Sequence, residues 1–115
     1  MKAKELAERL DLAVAAGEGG LDRLVKGGYC GDLLSEVMAN APMGCVWLTI
    51  QVHQNIVAVA VLREMAAVIM TSGNSPDEGT KARAEEEGIP ILLARDDAFT
   101  IAGKLYAAGV GNDDQ

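Results

Sequence analysis

The side chains best suited to chemistry stand in four short polar stretches: Tyr29-Cys30-Gly31-Asp32, Val52-His53-Gln54-Asn55, Ser72-Gly73-Asn74-Ser75 and Arg95-Asp96-Asp97. Ser72-Gly73-Asn74 can cradle a phosphate or a ribose, because a glycine turn ahead of a helix offers free N–H groups to an anion. A plain turn followed by a cap would use the same residues. His53 is the only histidine. It can exchange a hydrogen bond with a ligand or act as a general base. A base needs an orienting carboxylate, and none is adjacent in the chain; a solvated loop histidine needs none. Gln54 and Asn55 can read a base or amide edge, and Asn55 is equally suited to capping a helix. Tyr29 can stack on a planar ligand or pack in a core or interface, and Trp47 reads as core or interface. Asp32 completes the candidate ligand set and is also placed to cap a helix.

Several kinds of site are excluded. The chain has no G-x-x-x-x-G-K-[ST] phosphate loop and no G-x-S-x-G nucleophile elbow. Gly17-Glu18-Gly19-Gly20 lacks dinucleotide-binding spacing, and Glu85-Glu86-Glu87 reads as a solvated helix face. Cys30 and Cys45 are the only cysteines; with one histidine they cannot complete a zinc set. They are expected to be free thiols, and neither a metal nor a cofactor is expected.

The polar stretches are tied to a repeating order of elements. Each of three units in the second half is an apolar run, a polar loop and a helix-like segment. Residues 45–51 lead through 52–54 into 55–65, residues 67–71 through 72–75 into 76–87, and residues 89–94 through 95–96 into 97–108. Such alternation predicts a single α/β domain with a parallel-rich, mixed sheet and helices on both faces. The loops after parallel strands then gather at the strands' carboxyl ends, where ligands of these folds bind. Residues 55–65 are the ambiguous segment, since Val57, Val59 and Val61 alternate as in a strand. Asn55 as a cap, and the need for a crossover of about a dozen residues between parallel strands, favour a helix. That helix would be apolar nearly all round, and a second copy of the chain meeting Ile56, Val57, Ala60 and Val61 is a simple way to cover it.

The first half is less regular. Residues 2–10 form an amphipathic helix and residues 12–15 a strand. Three glycines within 17–20 make a turn. A second strand falls within 24–29, followed by a helix over 33–40 capped by Asp32. Ser75 is expected to cap the helix of 76–87 with Pro76 in its first turn and Glu78 completing a capping box. Pro90 belongs at a strand start or on a sheet edge. Asp96 or Asp97 caps the last helix, and residues 111–115 read as a frayed acidic tail.

Length and charge bound the rest. One domain is the natural expectation for 115 residues. A net charge of −7 argues against nucleic acid and anionic membrane surfaces as partners. No apolar run approaches the roughly 20 residues of a membrane span. The charged start Met1-Lys2-Ala3-Lys4-Glu5 has no apolar signal region behind it, so a cytoplasmic location is expected.

The run from Gly27 to Ala41, the segment Val46–His53 with Asn55–Val61, the Pro76-Asp77-Glu78 helix start, Gly88-Ile89-Pro90-Ile91-Leu92, and Ala98-Phe99 with Ile101-Ala102-Gly103 resemble stand-alone DRTGG domain proteins. The resemblance spans nearly the whole chain. It implies an α/β domain similar to the N-terminal domain of HPr kinase/phosphorylase, regulatory or dimer-forming rather than catalytic. Small members of the family are described beside iron-only hydrogenase subunits and anti-sigma-type kinases. Two cysteines cannot hold an iron–sulfur cluster alone. The family's name motif should fall after the Trp47 strand, where this chain reads Val52-His53-Gln54-Asn55-Ile56, without the Asp-Arg pair or the two glycines.

Three functional expectations follow. The first is a non-catalytic, homodimeric regulatory domain that senses a small cytoplasmic ligand such as a nucleotide. The second is an interaction module accessory to a redox enzyme of hydrogenase type or to a kinase. The third, a small enzyme, requires a polar pocket around His53 with a perturbed carboxylate nearby.

Overall fold

The sheet of this protein follows the order β1-β5-β4-β3-β2. In the computed structural model, which describes residues 1–111, the strands are β1 (Ala13–Ala16), β2 (Gly27–Cys30), β3 (Cys45–Thr49), β4 (Ala67–Met70) and β5 (Ile91–Leu93). The helices are α1 (Ala3–Leu10), α2 (Leu34–Asn40), α3 (Asn55–Leu62), α4 (Glu78–Glu87) and α5 (Ala98–Ala107), and a single 3-10 turn spans Glu18–Gly20. Strands β2 to β5 are mutually parallel, and β1 runs antiparallel to β5. The expected mixed, parallel-rich α/β sheet is therefore present. Of the tail expected at 111–115, residues 112–115 lie outside the described residues.

Parallel neighbours need crossovers, and α2, α3 and α4 supply three in succession. Strand alternation divides the core in two. Trp47, Val68, Met70 and Ile91 pack with Val37 of α2, Ile56, Val57 and Ala60 of α3, and Ala84 of α4. Val46, Leu48, Ala67, Ile69 and Leu92 pack with Leu6 of α1 and Ile101 and Leu105 of α5. Both faces of β3 and β4 are thus covered, which is why these strands read as unbroken apolar runs.

The segment 55–65 is a helix, ending three residues early. Helix α3 lies against the sheet with α2 and α4 on either side. Ile56, Val57 and Ala60 are wholly buried by their own chain. They cannot be the dimer surface expected of them; of the four residues only Val61 reaches solvent. The sheet, α2 and α4 cover this side of α3, while Val61 and Leu62 at its end stay exposed. Truncating Ile56 to alanine here would cost about 2–5 kcal/mol.

Other boundaries move for local reasons. The second strand begins at Gly27 rather than residue 24, and Leu24 instead makes an isolated bridge with Lys2. Helix α4 begins at Glu78, because the Asp77 carboxylate, and not Ser75, accepts the Thr80 N–H at 2.8 Å. Asp97 caps α5 in the same way through Thr100 N–H at 2.9 Å. Pro90 stands just ahead of the interior strand β5, where its carbonyl accepts the Val68 N–H at 2.9 Å. Gly88 stops α4 in the left-handed region, φ 65°.

Candidate functional site

The four parallel strands deliver all four polar stretches to one rim. Because β1 is antiparallel, with Ala13 opposite Leu93, the turn joining α1 to β1 reaches the same rim. The rim divides into two halves with different chemistry.

At the β2–β3 half, the side chains are committed to one another. The Asp32 carboxylate does not cap α2; Leu33 occupies the cap position and supplies no side-chain bond. Asp32 Oδ1 instead accepts the Thr49 hydroxyl at 2.7 Å and the Ile50 N–H at 2.9 Å. Gln51 Nε2 donates to the Asp32 carbonyl at 2.9 Å, and Trp47 Nε1 donates to the Gly31 carbonyl at 2.8 Å. Tyr29 donates its phenol to Glu36 of α2. That bond, helped by burial and by the carboxylate's charge, holds the phenol above its ordinary pKa.

His53 also serves the backbone. Its Nδ1 accepts the Asn55 N–H at 3.1 Å, and its carbonyl accepts the Ile56 N–H at 3.0 Å. Asn55 is therefore the first residue of α3, not its cap. The carboxylate that the sequence did not place beside His53 comes from Asp77. The Thr80 N–H and hydroxyl first, and the His53 charge to a smaller degree, hold Asp77 below the usual carboxylate pKa. Gln54 Nε2 lies 3.7 Å from where a Gly79 Cβ would stand, so the starts of α3 and α4 are adjacent.

At the β4–β5 half the surface opens into a cleft of about 670 Å³. Leu10, Asp11 and Leu12 of the α1–β1 turn form one wall, Gly73, Asn74 and Ser75 another, and Arg95, Asp96, Ile101 and Lys104 the rest. Of the expected ligand residues, Gly73 and Asn74 line this cleft, with Ser72 directly before them. Tyr29 lines a separate apolar groove, and His53, Gln54 and Asn55 lie between the starts of α3 and α4. The expected single cluster is thus split. Asp11, Leu12 and Lys104 join the cleft without having been singled out, because only the antiparallel pairing of β1 brings the first two there.

The loop 72–74 is not a phosphate cradle. Ser72 N–H donates to the Asp96 carbonyl at 2.8 Å, Gly73 N–H to Ala94 at 3.0 Å and Asn74 N–H to Thr71 at 3.2 Å. The first two hold the loop against the β5 exit and the third closes the loop's own turn, so none of the three is free. Ser72 and Gly73 both take left-handed backbone, φ 60° and 77°. Just before them the Thr71 hydroxyl is buried without a hydrogen-bond partner among the described residues.

Neither cysteine belongs to the cleft. Cys30 ends β2 and Cys45 begins the parallel strand β3, so the two free thiols lie at opposite ends of the sheet. Among the described residues no three His, Cys, Asp or Glu side chains are grouped to hold a metal ion. Among them, too, no helix is long and apolar enough to cross a membrane.

A five-stranded mixed sheet with three crossover helices on one face, and a cleft at its carboxyl rim, defines a small α/β domain. The chain belongs to the DRTGG domain family, whose model matches residues 5–108. DRTGG domains are regulatory-type domains. No curated protein matches the chain.

Proposed function

We propose that this protein is a non-catalytic regulatory domain, acting in the cytoplasm, that senses a small ligand in the rim cleft. The cleft itself carries the reading. Its volume of about 670 Å³ lies within the roughly 300–1,000 Å³ of small-molecule sites. It joins elements far apart in sequence, so occupancy would couple the α1–β1 turn to the β4 and β5 exits. One N–H at the start of each of α3, α4 and α5 is taken by the side chain of His53, Asp77 or Asp97. The N–H groups of the 72–74 loop are already bonded, so a nucleotide would bind without them. Calorimetric titration with a panel of nucleotides and small metabolites tests the reading. Binding tighter than about 1 mM that also shifts the amide resonances of Asp11, Gly73 and Arg95 supports it. No binding across the panel counts against sensing.

A second reading, an interaction module docking on a redox enzyme or kinase, is favoured by α5. Phe99 and Tyr106 are 88% and 80% exposed, seven residues apart and so on one helix face. With Ile56, Val57 and Ala60 enclosed, this stripe is also the proposed contact of a homodimer. Sedimentation of the chain and of the Phe99→Ser, Tyr106→Ser variant separates the two uses. Self-association lost in the variant supports the homodimer; a concentration-independent monomer in both leaves the stripe to a different protein.

A further inference from the structure

We propose that the rim cleft takes a small zwitterion, an α-amino acid or short peptide with an apolar side chain. Its carboxylate pairs with Arg95 and its ammonium faces Asp11. The proposal rests on the cleft being the ligand site and adds the chemistry of what enters it.

Four charged side chains line the cleft: Asp11, Arg95, Asp96 and Lys104. Asp96 and Lys104 satisfy each other across 2.9 Å. Among the described residues, the side chains of Asp11 and Arg95 take part in no hydrogen bond or ion pair. The cleft therefore presents one uncommitted acid and one uncommitted base. A polyphosphate fits this poorly, since a single guanidinium would hold it against two neighbouring carboxylates. The N–H groups of Ser72, Gly73 and Asn74 cannot help, because all three are already bonded. A neutral apolar molecule would leave both charges idle. A ligand with one group of each sign engages both, and a guanidinium matches a carboxylate in paired geometry.

The remaining lining fits the same class. Leu10, Leu12, Leu93 and Ile101 supply apolar wall for a side chain. The cleft's volume of about 670 Å³ leaves room for more than a single amino acid. Among the described non-glycine residues, left-handed backbone occurs at Asp11, Glu64 and Ser72. Asp11 takes it as the C-cap of α1, which turns the chain into the cleft wall, and Ser72 takes it at the β4 exit beside the cleft.

The test titrates the isotope-labelled chain with L-leucyl-L-leucine, L-leucine, isocaproate (carboxylate only), isoamylamine (ammonium only) and AMP. A zwitterion is expected to shift the amides of Leu12, Gly73 and Arg95. It should bind about tenfold or more tightly than either single-charge analogue. Arg95→Gln should erase the preference over isoamylamine and Asp11→Asn the preference over isocaproate, neither lowering the unfolding midpoint, asparagine being tolerated in the left-handed region. Isocaproate binding as well as leucine, or zwitterion binding undiminished in Arg95→Gln, overturns the proposal. AMP shifting these amides while the zwitterions do not overturns the ligand class but keeps the cleft as the ligand site. Silence toward every compound overturns both.

Discussion

Asp32 and Thr49 lock the exits of two adjacent strands together. The Thr49 hydroxyl donates to Asp32 Oδ1 at 2.7 Å, and the same oxygen accepts the Ile50 N–H at 2.9 Å. Thr49 also accepts the Gln51 N–H at 3.1 Å, so one hydroxyl serves two partners.

Removing either half of this lock should destabilise the fold. Thr49 is buried, so Thr49→Val and Asp32→Ala should each cost about 1–3 kcal/mol in urea unfolding. Because the residues touch, the double variant should cost less than the sum. Strict additivity would show that the bond contributes nothing.

The caps of α4 and α5 should make the protein acid-sensitive. Hydrogen bonds from Thr80 and Thr100 hold the Asp77 and Asp97 pKa values below that of an ordinary aspartate. Their stabilisation is complete above the unfolded value of about 3.9 and is lost as pH falls through the lower folded values. Asparagine at either position would still cap its helix at neutral pH and carries no titrating proton. In the variant carrying Asp77→Asn and Asp97→Asn, the fall of the thermal midpoint below about pH 4 should flatten. An unchanged acid limb would remove these two carboxylates from the account.

Two glycines should respond oppositely to alanine. A Cβ on Gly20 would overlap the Gly88 carbonyl oxygen, which also accepts Arg23 Nε at 3.0 Å. Neither backbone segment can yield easily, so Gly20→Ala should cost about 2 kcal/mol or more. Gly103 lies inside α5 with nothing within 4 Å of its Cβ position. Gly103→Ala should therefore stabilise by about 0.5–1 kcal/mol. Chemical denaturation of the two variants decides both signs.

The thiols should react in two well-separated phases. Cys30 is exposed, whereas Cys45 is buried and its thiol is pushed up to about 11, chiefly by desolvation. A disulfide reagent at neutral pH should modify one thiol per chain in native conditions. The second should follow only as fast as the chain unfolds, and destabilising variants should accelerate it. Equal rates for both would show that the β3 start opens locally.

Much of the fold was legible because its rules are local. Alternating apolar runs and capped helices announce crossovers, and residues 45–51, 67–71 and 89–94 read as strands for that reason. The crossover length needed between parallel strands settled 55–65 as a helix over its strand-like valines. Local rules failed where a side chain had a distant alternative. Asp32 was a good cap by position, yet Thr49 and the Ile50 N–H lay within its reach across the sheet. Asp77 displaced Ser75 because the chain turned into α4 only after Pro76.

By itself the amino-acid order determined the parallel-rich α/β sheet, the family, and the gathering of the polar stretches at one rim. Only the tertiary structure decided which of those stretches share a cleft. The antiparallel pairing of β1 with β5 brings Asp11 and Leu12 to Arg95 and Lys104, and no spacing in the chain encodes an approach made by strands so far apart. It also decided that Ile56, Val57 and Ala60 are buried within the chain, between the sheet, α2 and α4, because apolar surface is buried by whatever neighbour the topology supplies.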